Sequence, residues 1–122
     1  MEAYQELAKI TKAIAHPTRL RILEILGQGE ACVCHMTHLL GQRQPYISQQ
    51  LMTLREAGLV RDRKDGVMVY YSLTCDCVGD VIASMHRLLR ATGVEVEFAP
   101  TPPAPVSGCP CPVCGGEGSC SV

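Results

Sequence analysis

The chain has 122 residues, a formal charge of −1 and 47% hydrophobic residues. That is enough for one domain burying roughly two-thirds of its unfolded surface, and too little net charge to coat nucleic acid indiscriminately. Residues 1–15 never run apolar, which excludes a secretory signal or membrane span there and leads us to expect a cytoplasmic protein, where eight cysteines point to metal or redox chemistry before structural disulfides.

From Ala3, the apolar residues Leu7, Ile10 and Ile14 recur at helical spacing and predict a first amphipathic helix ending near His16. Pro17 opens a second, because proline at the first helical position loses only an amide that has no helical partner. Leu20, Leu23 and Leu26 follow before Gly27 and Gly29 stop the run. A third helix is expected from Ala31 to Leu40, closed by Gly41. A fourth starts at Pro45, carries Ile47, Leu51 and Leu54, and ends before Gly58.

The period then changes. Leu59 to Arg63 and Val67 to Leu73 are β-prone runs separated by Lys64-Asp65-Gly66, and Asp-Gly between such runs signals a hairpin. Thr74 is read as the N-cap of a last helix whose stripe is Val78, Val81, Ile82, Met85 and Leu89, with Arg87 and Arg90 on its polar face and an end near Gly93. From Ala99 the chain holds six prolines and four glycines in 24 residues. Such a segment cannot repay its ordering entropy, so residues 95–122 are expected to be a Cys/Pro/Gly-rich tail without order unless its cysteines bind metal.

Helix, helix, helix-turn-helix, β-hairpin wing and helix describe a mainly α, winged helix-turn-helix domain over residues 1–94. Its first and last helices expose stripes that predict a twofold homodimer. Charge is uneven. Residues 1–94 hold eleven Lys and Arg against nine Asp and Glu, whereas the remainder holds three Glu and no base. A DNA contact would therefore use a local patch. In a helix-turn-helix the start of the second helix enters the major groove, which nominates Gln44, Ser48 and Gln49 as the base-reading edge and Tyr46 and Gln50 as backbone contacts. Arg43 and Arg55 flank that helix, while Arg61, Arg63 and Lys64 sit on the wing.

The runs His16-Pro17-Thr18-Arg19-Leu20-Arg21-Ile22-Leu23, Cys32-Val33-Cys34, Gln44 to Leu51, Leu54 to Val60 and Gly66 to Leu73 closely resemble the ArsR/SmtB family of metal-sensing repressors over residues 4–92. The resemblance implies a dimeric repressor that holds a palindromic operator when ligand-free and lets go on binding its inducer. It carries no enzymatic activity, permanent cofactor or membrane partner. Within that family a Cys-x-Cys in the third helix marks sensors of arsenite, antimonite, cadmium or lead. Cys32 and Cys34 match it, with His35 standing where an acidic residue is usual.

Thiolates are soft ligands, so the expected inducer is a thiophilic ion, arsenite or antimonite first and cadmium, lead or zinc next. Two residues apart on a regular helix, the cysteines would point some 200° from each other, so joint coordination would distort the helix. Cys75 and Cys77 occupy the place where the resemblance puts an Asp-x-His zinc half-site. Its other half would fall near Leu88 and Ala91, which cannot coordinate, leaving His86 or a tail cysteine to complete a sulfur-rich site. Cys109, Cys111 and Cys114, with Cys120 beyond, lack two well-spaced C-x-x-C knuckles. They can supply a third thiolate, bind metal on their own, or play no structural part. Two other functions compete. A redox or persulfide sensor would use the same fold, although a C-x-C disulfide closes a strained ring. A thiol oxidoreductase lacks its usual C-x-x-C beside a βαβ unit.

Overall fold

The computed structural model describes residues 1–98. Helix α1 (Glu2–Ile14) buries only Ala13 and Ile14. Helix α2 (Pro17–Gly27) starts at the proline, and His16 caps it by accepting the Thr18 amide on Nδ1 at 3.2 Å. Its residues Ile22, Leu23, Ile25 and Leu26 form the centre of the core. A two-residue strand β1 (Ala31–Cys32) precedes α3 (Val33–Leu40), which ends on Gly41 at φ 63°. That left-handed conformation suits glycine and turns the chain within three residues into α4 (Gln44–Glu56).

Strands β2 (Val60–Asp65) and β3 (Met68–Leu73) form the wing, and β1 adds to its far side to give the antiparallel order β1-β3-β2. Helix α5 (Asp76–Ala91) packs on α2 and buries Val78 and Ile82. The sheet sorts its faces by the period of two. Ala31, Tyr71, Val60 and Leu73 face the main core, whereas Cys32, Met68 and Tyr70 form a separate small cluster on the other face.

Four sequence expectations change. The third helix starts at Val33, because Ala31 and Cys32 are drawn into backbone pairing with Tyr71 and Tyr70. The fourth helix begins at Gln44, one residue before the proline. The hairpin turns at Gly66-Val67, since Lys64 and Asp65 continue the ladder opposite Val69 and Met68; Gly66 supplies the φ of 63° that the tight turn requires. Cys75, not Thr74, is the N-cap of the last helix. The Thr74 hydroxyl instead donates to the carbonyls of Gly58 and Leu59, 2.9 and 3.3 Å away, stitching the end of the wing to the turn after α4. Residues 99–122, and with them Cys109, Cys111, Cys114 and Cys120, lie outside the described residues.

Apolar surface is left over on two elements. Tyr4, Leu7 and Ile10 of α1 are 70, 57 and 39% exposed, and Val81 and Leu88 of α5 are 49 and 64% exposed. Leu51 is the reverse case, with no exposed surface at the meeting of α4 with the core. Leu51→Ala is expected to lose about 2–5 kcal/mol of unfolding free energy in urea titrations. A loss under about 1 kcal/mol would show that α4 is not anchored there.

Candidate functional site

Helix α4 turns Ile47, Gln50, Leu51 and Leu54 inward, a spacing of three, one and three that marks one helical face. The opposite face presents Pro45, Gln49, Met52 and Glu56 to solvent, with Gln44 and Ser48 half-buried at its edge. Gln44, Ser48 and Gln49 thus lie on or beside the solvent-facing side of α4. Gln50 does not: it is 6% exposed, and its Oε1 accepts Arg19 Nε–H at 2.9 Å. The expected phosphate contact is therefore corrected, since position 50 shares the inward face with Ile47 and Leu54. The Tyr46 hydroxyl is half-committed as well, lying 3.2 Å from Thr18 Oγ1 and 3.4 Å from His16 Nε2. Met52 was missed in the sequence. It lies off the Ile47, Leu51, Leu54 stripe and is exposed on the outward face beside Gln49.

The flanking cations divide into two groups. Arg43, the exposed N-cap of α4, and the wing residues Arg61 and Lys64 make no ion pair among the described residues. Arg55 is held by Asp62 at 3.4 Å. Arg63 is held more firmly, donating Nε–H and Nη2–H to the two oxygens of Glu30 at 3.0 and 2.6 Å, with Asp65 at 3.7 Å and its guanidinium 4.9 Å above the Tyr70 ring. The paired guanidinium holds the Glu30 carboxyl below the usual carboxylate range.

That pair stands beside the cysteines. Cys32, Tyr70 and Arg63 are cross-strand neighbours on one face of the sheet, one residue from each strand. Cys32 is 1% exposed and serves as N-cap of α3, its Sγ accepting the His35 amide at 3.4 Å. Cys34, in the first turn of α3, packs against the same cluster of Cys32, Met68 and Tyr70. The 200° separation expected on a regular helix does not apply, because Cys32 belongs to the strand. The two cysteines straddle a strand-to-helix junction and share one small cluster. His35 is buried beside them, and burial, with His38 adding to it, pushes its imidazole below the ordinary histidine value. Burial thus favours its uncharged form, the form in which imidazole can ligate soft ions.

Cys75 and Cys77, both exposed at the start of α5, are joined in a disulfide with Cα atoms 5.3 Å apart. This differs from the expectation that ring strain would keep a C-x-C pair open. His86 lies nine residues further along α5, roughly 14 Å by helical rise. It is committed to Glu24 and stacked on Phe98, so it does not complete a site with this pair. Among the described residues, no three His, Cys, Asp or Glu side chains are gathered closely enough to hold a metal ion. No helix among them is long and apolar enough to cross a membrane.

Known proteins are similar to this chain in sequence and fold. Residues 16–62 match the family described as bacterial regulatory protein, arsR family. The chain is similar to the biofilm growth-associated repressor of Agrobacterium fabrum, 38% identical over 86 residues that cover 70% of this chain and 74% of that protein. It is also similar to the arsenical resistance operon repressor of Staphylococcus aureus, 33% identical over 84 residues that cover 69 and 81% of the two chains. Among solved structures it is similar to the homodimeric winged helix-turn-helix DNA-binding domain of a regulator from Mycobacterium bovis. The TM-score is 0.69 at 26% identity, covering 80% of this chain and 92% of that one.

The Glu30–Arg63 pair makes acid stability testable. A carboxyl held below its unfolded value stabilises the fold above that value, and the contribution is lost as pH falls through the folded one. Glu30→Gln is expected to lose less stability than the parent between about pH 5 and pH 3, the carboxylate titration range. Melting temperatures over that range check this, and parallel curves would show that the pair contributes nothing.

Proposed function

Since the chain belongs to the arsR family of bacterial regulatory proteins, we propose that it is a homodimeric winged-helix transcriptional repressor. It binds operator DNA without ligand and releases it when Cys32 and Cys34, with Cys34 reduced from its disulfide, take up a thiophilic ion. The observation that carries this reading is the junction itself: two cysteines in one cluster, one on the strand that joins the wing and one on the helix that leads to the reading helix. Gln44, Ser48 and Gln49 read base edges. Arg43, Arg61 and Lys64 grip phosphate, and Arg63 joins them where phosphate replaces Glu30.

The exposed stripes of α1 and α5 support the dimer, as does the homodimeric neighbour. Twofold symmetry would present two copies of α4 to a palindromic site. Coordination would work through linkage. A soft ion drawing Cys32 and Cys34 together needs the sulfur that caps α3 and the strand paired with Tyr70. Ligand affinity is then set against the arrangement that holds the wing and α4 in place. Arsenite and antimonite suit two thiolates and a third donor, with cadmium, lead and zinc next. The His35 imidazole and the tail cysteines Cys109, Cys111 and Cys114 are the donors proposed to complete the set. The kinship with an arsenical resistance repressor supports the choice of ion.

One observation favours a second reading of the signal. The Cys75–Cys77 disulfide at the start of α5 suits a repressor that responds to oxidants or polysulfide through this pair.

Ser48→Ala and Gln49→Ala are each expected to weaken operator binding by about 1–3 kcal/mol without unfolding the protein, as read by fluorescence anisotropy. Unchanged binding in both would place the groove-facing surface elsewhere. The paired change Cys32→Ser with Cys34→Ser is expected to leave operator binding intact and abolish release by arsenite, because serine is a hard and weak ligand for soft ions. Normal release in that protein, with loss of release when Cys75 and Cys77 are both changed to serine, would move the sensor to α5 and favour the second reading.

A further inference from the structure

Helix α4 meets the core through Ile47, Leu51 and Leu54, none of them exposed. Apolar contact of this kind is non-directional. It sets how closely the helix lies, and leaves its rotation about its own axis and its position along that axis to other forces. Two polar ties supply that direction, at positions 46 and 50, one helical turn apart. Gln50 Oε1 accepts from Arg19 Nε at 2.9 Å, and the Tyr46 hydroxyl meets Thr18 Oγ1 at 3.2 Å and His16 Nε2 at 3.4 Å. All three anchoring residues lie at the start of α2: His16 is its N-cap, and Thr18 and Arg19 are in its first turn.

Arg19 has a further partner, which fixes its own geometry. Its Nη1 donates to the Ala13 carbonyl at 3.2 Å. That carbonyl stands at the end of α1, and the residue four positions on, which would normally donate to it, is Pro17, with no amide hydrogen. The guanidinium thus fills a vacancy that the sequence creates at a fixed place, and its second prong reaches the buried amide of Gln50. A planar fork that bonds two elements at once transmits orientation from one to the other; a flexible ammonium does not.

We infer that Arg19 is a positioning residue for operator recognition, setting the rotation of α4 through Gln50 and taking its own orientation from the end of α1. The inference rests on the reading of α4 as the recognition helix. Arg19 lies behind that helix and touches no base. Its effect should fall on discrimination between sequences, because base-edge contacts depend on side-chain placement while phosphate contacts tolerate small rotations. Since α1 also carries the stripe proposed for the dimer, the same link would relate the two reading helices of a dimer to each other.

The test uses a duplex selected from a random pool by the full-length wild-type chain. Anisotropy titrations would be run on this duplex, on single-base variants of it and on an unrelated duplex, over a range of salt. Arg19→Ala is expected to weaken binding to the selected duplex by about tenfold, the scale of one displaced base contact, with the unrelated duplex bound as before and the log–log salt slope unchanged. Gln50→Glu keeps an acceptor for the guanidinium and should keep discrimination. Gln50→Ala combined with Arg19→Ala should be no worse than either change alone. Should Arg19→Ala fail to fold by circular dichroism, Arg19→Lys carries the same expectations, since it keeps the charge and loses the fork. A salt slope reduced by about one would overturn the inference by making Arg19 itself a phosphate contact, and equal losses on both duplexes or unchanged discrimination would overturn it too. If Ser48→Ala and Gln49→Ala also bind the selected duplex like wild type, the reading of α4 fails first and the inference with it.

Discussion

Two backbone pairs, Ala31 with Tyr71 and Cys32 with Tyr70, are the constraint on which the rest of this structure depends. They make the wing a three-stranded sheet. They also end the segment before α3 in extended backbone and fix where the helix-turn-helix begins. Without them α3 would start two residues earlier, Cys32 would be a helical side chain facing away from Cys34, and the wing would be a two-stranded hairpin joined to the body only through its ends. An isolated hairpin is marginally stable in water, and three strands with a packed face are not. The small cluster of Cys32, Met68 and Tyr70, with Cys34 and Leu39 against it, is therefore structural support for the wing as well as the proposed ligand site.

This double duty explains how a signal at two sulfurs could reach DNA with no moving domain. The cysteines lie between α3 and the sheet. On the sheet side the Cys32, Tyr70, Arg63 row leads to the Glu30 pair and the wing cations. On the helix side, α3 leads through Gly41 to α4. A ligand that demands its own geometry from both sulfurs competes with an arrangement that uses one of them as a helix cap. The polar ties of Tyr46 and Gln50 to residues 16–19 hold α4 from its other side, so the proposed reading helix is placed between the proposed sensing junction and the end of α1.

Much of this was legible in the chain. Proline at the start of α2, Gly41 and Gly58 after helices, and the switch from helical to alternating periodicity are local signals with local causes, and they place the elements within one or two residues. The resemblance carried by the Cys-x-Cys and the Gln44 to Leu51 run pointed to the family. What the sequence concealed was non-local. A two-residue strand has too few positions to show a period, and its existence is decided by Tyr70 and Tyr71 forty residues away. Gln50 looked like an outward polar residue because its partner, Arg19, is 31 positions distant. Arg63 counted as an available cation until Glu30 was seen to hold it.

The central claim is that the β1–β3 pairing and the cap of α3 are what a thiophilic ligand trades against DNA binding. Amide hydrogen exchange of the operator-bound protein, followed residue by residue as arsenite is added, tests it most directly. The account predicts that exchange at the Ala31, Tyr71 and His35 amides accelerates in step with operator release, while the amides of α2 keep their protection. Release of the operator with those three amides still protected, or faster exchange confined to α5, would contradict it.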